Sequence, residues 1–546
     1  MQKNRYLIAL TAALGLIPIV LDGTIVTVAL TPIRVNLHTD VNTAQWIFTG
    51  YLLANAALVA VGGYLANRFG RKRLFVAGIA LFTLGSVLCG ISPSIGWLIA
   101  FRVLQGVGGG MILPIGPALA FDAFKQEERA RASALVAVPI LLAPIFGPIV
   151  GGYLNDTFDW HSIFFVNLPI GVIAVAAALV LLPRDEPGAE RGRRLDAVGL
   201  ALSTVGIVAI LYGLTFVTRT DPATVTAANP TGELYGWGYP LVWALVGGGA
   251  VVLAIFAFYS LRISRDPALD LRQLKRREFL VSNVITWLAS LFALGLLVLL
   301  PLYFESIRRP NLSPLDTGLA LIPYGVGGLL GTIASAAFYR ALGPRWVVVL
   351  GAALAALGMW LLAQTIQPTA NASQLLAAAQ TQTAVPSVAG PEALRWGFFL
   401  VGLSFTFIAI PVQTLALEAL KGEALAKASS LFLSTKLIFS SVGVAVVTTI
   451  LVDRTRSRAT ELVAQLQALS QGSGVNPSDP RVAAALRALE AQIATQAGTW
   501  AIQSIFWLIF FLSFALVALA LLLPGRRSEA AATQAEGEPE PAAAIS

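Results

Sequence analysis

The residue with the clearest capacity for chemistry in this chain of 546 residues is Asp22, in the stretch LDGTIVTVALTPI over residues 21–33. Arg5 and Arg34 bracket 28 residues in which it is the only charged side chain. A carboxylate inside an apolar run of that length is costly. It either exchanges a proton or meets an ion there, or it pairs with a cation on another helix. Arg102 lies in a second apolar run, and Gln105, three residues on, shares its helix face. An arginine in hydrocarbon needs an acid or backbone carbonyls, and Asp22 is a candidate partner. Glu305 closes the segment LPLYFE and reads either as a second proton site or as an acid facing water at a helix end. Lys436 sits mid-run with no acid close to it in sequence, so it either contributes to coupling or pairs with a carboxylate on another helix.

Other chemistries find no support. There is no GxxxxGK[ST] loop to cradle nucleotide phosphates, so ATP is not expected as the direct energy source. Two histidines, His38 and His161, and one cysteine, Cys89, fall in no metal-ligand spacing. No nucleophile stands near a base in any recognisable arrangement, and an enzyme is not expected.

The elements that must hold these residues are membrane helices. With 56% hydrophobic and 12% charged residues, the chain reads as an all-α polytopic membrane protein. Its apolar runs far exceed the roughly ten residues of an alternating barrel strand. The run containing Asp22 covers about 42 Å at 1.5 Å per residue, enough to cross a bilayer with some tilt. It also outlasts a signal-peptide core, so it is expected to stay as an anchor. Polar punctuation separates fourteen such spans. Of the 37 Lys and Arg residues, 25 fall in alternate loops and ten in the opposite ones, five of those ten in one long loop. That bias, and an even number of spans, put both termini in the cytoplasm. The net charge of +8 therefore reflects topology and not a nucleic-acid stripe.

The spans group as six, two and six. Residues 1–183 are expected to form an N-terminal six-helix bundle, 184–278 a linker with two additional helices, and 279–524 a C-terminal six-helix bundle. Within the last, Leu462, Leu466, Leu469, Val482, Leu486, Leu489 and Ile493 follow helical spacing on either side of a turn cluster. They predict an external helical hairpin over 453–499 that packs on its own chain or meets a partner. The tail 525–546, acidic and rich in Pro and Ala, reads as disordered cytoplasmic chain. NRFGRK at 67–72 has a degenerate echo, RALGPR, at 340–345, as expected of two related halves.

Three motifs carry a family resemblance. The loop Gly63-Tyr-Leu-Ala-Asn67-Arg68-Phe-Gly70-Arg71 resembles motif A of the major facilitator superfamily, a conformational latch, with Asn67 where the family usually has Asp. Arg102-Val-Leu-Gln105-Gly106 resembles motif B, whose arginine is implicated in proton transfer. Gly147-Pro148-Ile-Val-Gly151-Gly152 resembles motif C, the antiporter signature of its exporters. Together with LDGTIVTVAL, QWIFTGYLLA and WHSIFFVNLPIG, these make the chain similar to the fourteen-span drug:proton antiporter family, its EmrB/QacA-like branch.

The resemblance implies a major facilitator fold in the plasma (inner) membrane. It also implies a proton-driven exporter without a cofactor, acting on small organic substrates by alternating access, with a periplasmic adaptor protein as partner in some relatives. Proton coupling would involve Asp22, Arg102 and Glu305. The first and fourth helices of each half line the cavity in this superfamily, so Gln105, Tyr303, Phe405, Phe407 and Gln413 become candidate substrate-binding residues. Carboxylates in an aromatic-lined cavity suit lipophilic cations. The competing reading is a lipid, amphiphile or metabolite translocator of the same fold without drug:proton exchange.

Overall fold

A chain crossing hydrocarbon must satisfy its backbone groups internally, and here the apolar runs do so as helices. The computed structural model describes residues 2–39, 41–125, 128–185, 196–224, 233–264, 267, 269–308, 310–381, 389–418, 420, 422–471 and 480–525. The expected tail after 525, most of the 184–194 linker and the turn at 472–479 lie outside the described residues. The helices of the first half are α1 (Gln2–Asn36), α2 (Val41–Phe69), α3 (Arg71–Gly90), α4 (Ile95–Ala123), α5 (Arg129–Thr157), the short α6 (Ser162–Phe165) and α7 (Asn167–Leu181). Next come α8 (Ala197–Val217) and α9 (Pro240–Phe258). The later part has α10 (Arg277–Leu302), α11 (Pro314–Ala320), α12 (Ile322–Thr365), α13 (Ala372–Thr381), α14 (Pro391–Glu418), α15 (Gly422–Gln471) and α16 (Pro480–Leu521). A two-residue ladder, Thr220–Asp221 against Glu233–Leu234, is the β structure among the described residues.

Eleven helical stretches among the described residues are long and apolar enough to cross a membrane. One of them, α12, is two helices joined at Gly343, and so carries two of the expected spans. α5 and α10, of 29 and 26 residues, occupy the fifth and ninth places. The architecture is compatible with fourteen spans.

The sequence echo has a conformational basis. Gly70, between α2 and α3, has φ +98°, and Gly343, at the corresponding bend of α12, has φ +79°. An L side chain is strained in that region, so glycine recurs where each half turns sharply between its second and third spans. Helix pairing also repeats. α1 packs on α5 and α2 on α4 in the first half, as α10 packs on α15 and α12 on α14 in the second. Across the halves, α2 meets α15 and α5 meets α12. The additional pair α8–α9 packs mainly through α8 on both α2 and α15. Trp237 Nε1, just before α9, donates to Thr449 Oγ1 of α15 at 2.8 Å.

Beyond the spans, Leu462, Leu466 and Ile493 are buried against Ala370, Ala372 and Leu375. These three residues of the 453–499 segment thus share one apolar cluster with the start of α13. The side chains of Leu469, Val482, Leu486 and Leu489 lie outside the described residues.

Candidate functional site

α1, α4 and α7 bring together the residues of one buried polar network. Asp22 on α1 is 1% exposed, and Arg102 and Gln105 on α4 are fully buried. Arg102 Nη1 meets Asp22 Oδ2 at 2.5 Å and donates to Gln105 Oε1 at 2.7 Å. Gln105 Nε2 returns a bond to Asp22 Oδ1 at 2.9 Å, closing a triangle. Arg102 Nε donates to the Ile47 carbonyl at 3.1 Å, and its guanidinium lies 4.3 Å from the centroid of the Tyr51 ring. A buried guanidinium so placed gains from both the ring face and the carboxylate. Asn167 Nδ2 lies 3.4 Å from Asp22 Oδ1 and 3.0 Å from Ser86 Oγ, which itself donates to the Phe164 carbonyl.

The two expected charges, Asp22 and Arg102, are therefore in contact, three helices apart in sequence. Four members of the network escape sequence reasoning: Ser86, Tyr51, Asn167 and Cys89, whose Sγ lies 3.8 Å from Gln105 Oε1. A polar Asn in the otherwise apolar start of α7 was the available signal. Two buried atoms, Arg102 Nη2 and Asn167 Oδ1, have no hydrogen-bond partner among the described residues. The network places a proton-accepting carboxylate in fixed contact with a permanent cation. Protonating Asp22 would discharge that pair and free the guanidinium to repartner.

The other expected residues fall elsewhere. A cavity of about 90 Å³ lies inside the second half, between α10, α12, α14, α15 and α16, and Phe405, Gln413 and Lys436 line it. Phe407 faces away, buried edge-to-face on Phe338. Tyr303 is buried in the packing core and donates its hydroxyl to the Ala389 carbonyl at 3.0 Å. Glu305 lies on a π-type turn that follows α10, half-buried, at the opposite end of that helix from the basic loops. Gln105 belongs to the Asp22 network and not to the cavity wall. Among the described residues no acid lines the cavity, so the pairing of carboxylate with aromatics that suits a cation is not assembled from them there.

The loop residues build a junction between the halves on the basic face. Gly63 N donates to Ser430 Oγ of α15 at 2.8 Å, and a Cβ on Gly63 would lie 2.2 Å from the Ala426 carbonyl oxygen. Arg71 pairs with Asp122 at the end of α4. Asp185 accepts from Lys72 N at 2.8 Å and Arg73 N at 3.0 Å, capping the start of α3. Asn67 is buried and Arg68 half-buried at the same turn. Arg129 Nη1, at the start of α5, donates to the carbonyls of Leu417, Glu418 and Leu420 at the end of α14. On α5, Gly147 packs on Thr24 and Gly151 on Ile25, while Gly152 meets open space. Pro148 continues the helix between them.

The sequence pattern described as Major Facilitator Superfamily matches residues 12–444. The chain belongs to that superfamily. Within it, the chain is similar to the multidrug export protein EmrB of Escherichia coli strain K12, with 30% identity over 92% of this chain and 90% of that protein. It is also 30% identical to the multidrug resistance protein B homolog of Mycobacterium tuberculosis, over 79% of this chain and 73% of that one. These place it in the EmrB-like branch of the superfamily. Two solved structures share the fold. A double-tryptophan mutant of XylE aligns over 96% of this chain with TM-score 0.57 and 13% identity. The human organic anion transporter MFSD10 aligns over 94% with TM-score 0.51 at the same identity. The chain is thus an integral membrane protein of a transporter superfamily. Its motif A residues lie at the α2–α3 turn and its motif C residues on α5, with Gly147 and Gly151 against α1.

Proposed function

We propose that this protein is a proton-coupled secondary exporter of lipophilic organic compounds, driven by the proton gradient without a cofactor. The observation that carries the reading is the sealed Asp22–Arg102 pair, a titratable carboxylate held deep in the membrane by a permanent cation. Multidrug export in the names of its relatives supports the same class of substrate. A proton arriving at Asp22 neutralises the acid and loosens Arg102. The orphaned Arg102 Nη2 and Asn167 Oδ1 are where a water would relay that proton. The halves 1–183 and 279–524 rock about the α2–α15 and α5–α12 contacts, with 184–278 as an insert beside them. Glu305 is a second carboxylate on the path from the external side.

The basic face is cytoplasmic, both termini lie there, and the protein sits in the plasma (inner) membrane. The described parts of the 453–499 segment, which lie between the last two spans, are the surface a periplasmic adaptor protein would meet.

The test uses proteoliposomes with an imposed pH gradient, a panel of lipophilic probes of both charges, and lumenal pH as the readout. Substrate-dependent proton movement is expected in the wild type and should be absent in Asp22→Asn. Folded protein that moves no protons with any probe would sink the proposal.

A further inference from the structure

α8 lies across a seam between the halves, packed on α2 of the first and α15 of the second. At the face opposite the basic loops, the described arms of its connection to α9, residues 218–224 and 233–239, fold on themselves. The ladder of Thr220–Asp221 with Glu233–Leu234 is extended by Tyr235 N, which donates to the Arg219 carbonyl at 2.9 Å. Asp221 Oδ1 accepts from Ala223 N at 2.9 Å, and Thr224 Oγ1 accepts from Glu233 N at 2.6 Å. The ring centroids of Tyr235 and Tyr239 are 4.3 Å apart, and both rings lie beside Phe216 near the end of α8, at 5.8 and 6.1 Å. The arms thus form a pad whose internal contacts need neither half.

The pad holds each half by a different contact. Toward the first half, Arg219 Nε donates to Gln45 Oε1 of α2 at 3.3 Å. Its guanidinium lies 5.3 Å from the Trp46 ring of α2 and 5.4 Å from the Phe216 ring of α8, so it gains from one ring on each helix. Toward the second half, Trp237 Nε1 donates to Thr449 Oγ1 of α15 at 2.8 Å. That hydroxyl donates its own proton to the Ala445 carbonyl at 2.8 Å and so meets Trp237 as an acceptor. Arg456 of α15 pairs with Glu233 at 3.3 Å, both side chains exposed. Beneath them Ala445 is buried in one apolar cluster with Phe216, Val217 and Val242.

Because α2 and α15 belong to different halves, the path from Gln45 and Trp46 through the pad to Thr449 crosses the seam. Its two holds stand in series. A series link fails when either member is lost, and losing the second then adds nothing.

We propose that the α8–α9 connection is a clasp across the α2–α15 seam, holding the face opposite the basic loops closed until the Arg219 or the Trp237 contact breaks. The inference goes beyond the exporter reading, resting on it only for the rocking of the halves, and proton movement does not enter its test.

The experiment is double electron–electron resonance on the purified full chain in lipid nanodiscs. Spin labels are placed at Val35→Cys and Val452→Cys, exposed positions at that face on α1 and α15. The readout is the ratio of the longer-distance to the shorter-distance population. Arg219→Gln and Trp237→Phe should each raise it about three- to tenfold, the effect of losing one such hydrogen bond. Thr449→Val removes the acceptor and should match Trp237→Phe, which keeps the test decisive if the tryptophan variant does not fold. Combining Arg219→Gln with Trp237→Phe should leave the ratio within about a factor of two of the larger single effect, the non-additivity of residues acting through one link. Effects that multiply in the double variant would show two independent contacts and overturn the clasp. So would a ratio that responds to only one of the two holds or to neither, or a shift toward the shorter distance. The clasp can fail in this way while the liposome assay still reports proton-coupled export, and it can stand while that assay is silent.

Discussion

Arg102 and Asp22 illustrate how a membrane interior makes single side chains matter. Both are desolvated, so neither can be removed without leaving the other as an uncompensated charge. Arg102→Met should therefore cost about 3–5 kcal/mol, seen as a lowered unfolding temperature in detergent. Asn167→Leu removes a neutral donor shared by Ser86 and Asp22. It should cost less, about 1–3 kcal/mol, on the same measurement. If the two variants lost equal stability, the ion pair would not be what chiefly holds the network together. Asp22 and Arg102 are legible in sequence because charge in an apolar run stands out. Asn167, Ser86 and Tyr51 are not, since an isolated polar residue in a helix has many ordinary uses and only contact reveals this one.

At the scale of elements, the turns between second and third spans carry backbone strain that glycine relieves. Gly70→Ala and Gly343→Ala should each cost about 1–3 kcal/mol, the penalty of an L residue at positive φ with extended ψ. Gly70→Ala adds a clash with Asp185, because a Cβ there would sit 2.3 Å from its Oδ2. Asp185→Ala alone should lower stability by about 1 kcal/mol through loss of the α3 cap. Denaturation of the three variants in one detergent would rank them. The NRFGRK and RALGPR echo announces both turns, whereas Asp185 lies more than a hundred residues from the Lys72 and Arg73 amides it caps. No local pattern links them.

Across the whole molecule, the halves meet on the basic face through backbone approach as much as through charge. Gly63→Leu would push α2 off the Ala426 carbonyl, and Arg129→Ala would release three carbonyls at the end of α14. Both should lengthen the distance across this junction, measured by spin labels on introduced cysteines. The one native cysteine, Cys89, is fully buried and stays out of the labelling. Labels that report unchanged distances in both variants would show that the junction is held elsewhere.

Composition, run length and the placement of Lys and Arg were enough to specify a polytopic helical membrane protein, because hydrocarbon admits few backbone solutions and tolerates few charges. The glycine, proline and arginine motifs added the superfamily, since close helix approach and sharp turns restrict residue type at single positions. Which charges meet was decided only in three dimensions. Asp22 is neutralised by Arg102 across two helices, whereas Lys436 has no described counter-charge beside the cavity it lines. Sequence shows each ionisable group alone, but the energy of a buried charge belongs to its neighbours, and tertiary packing chooses them.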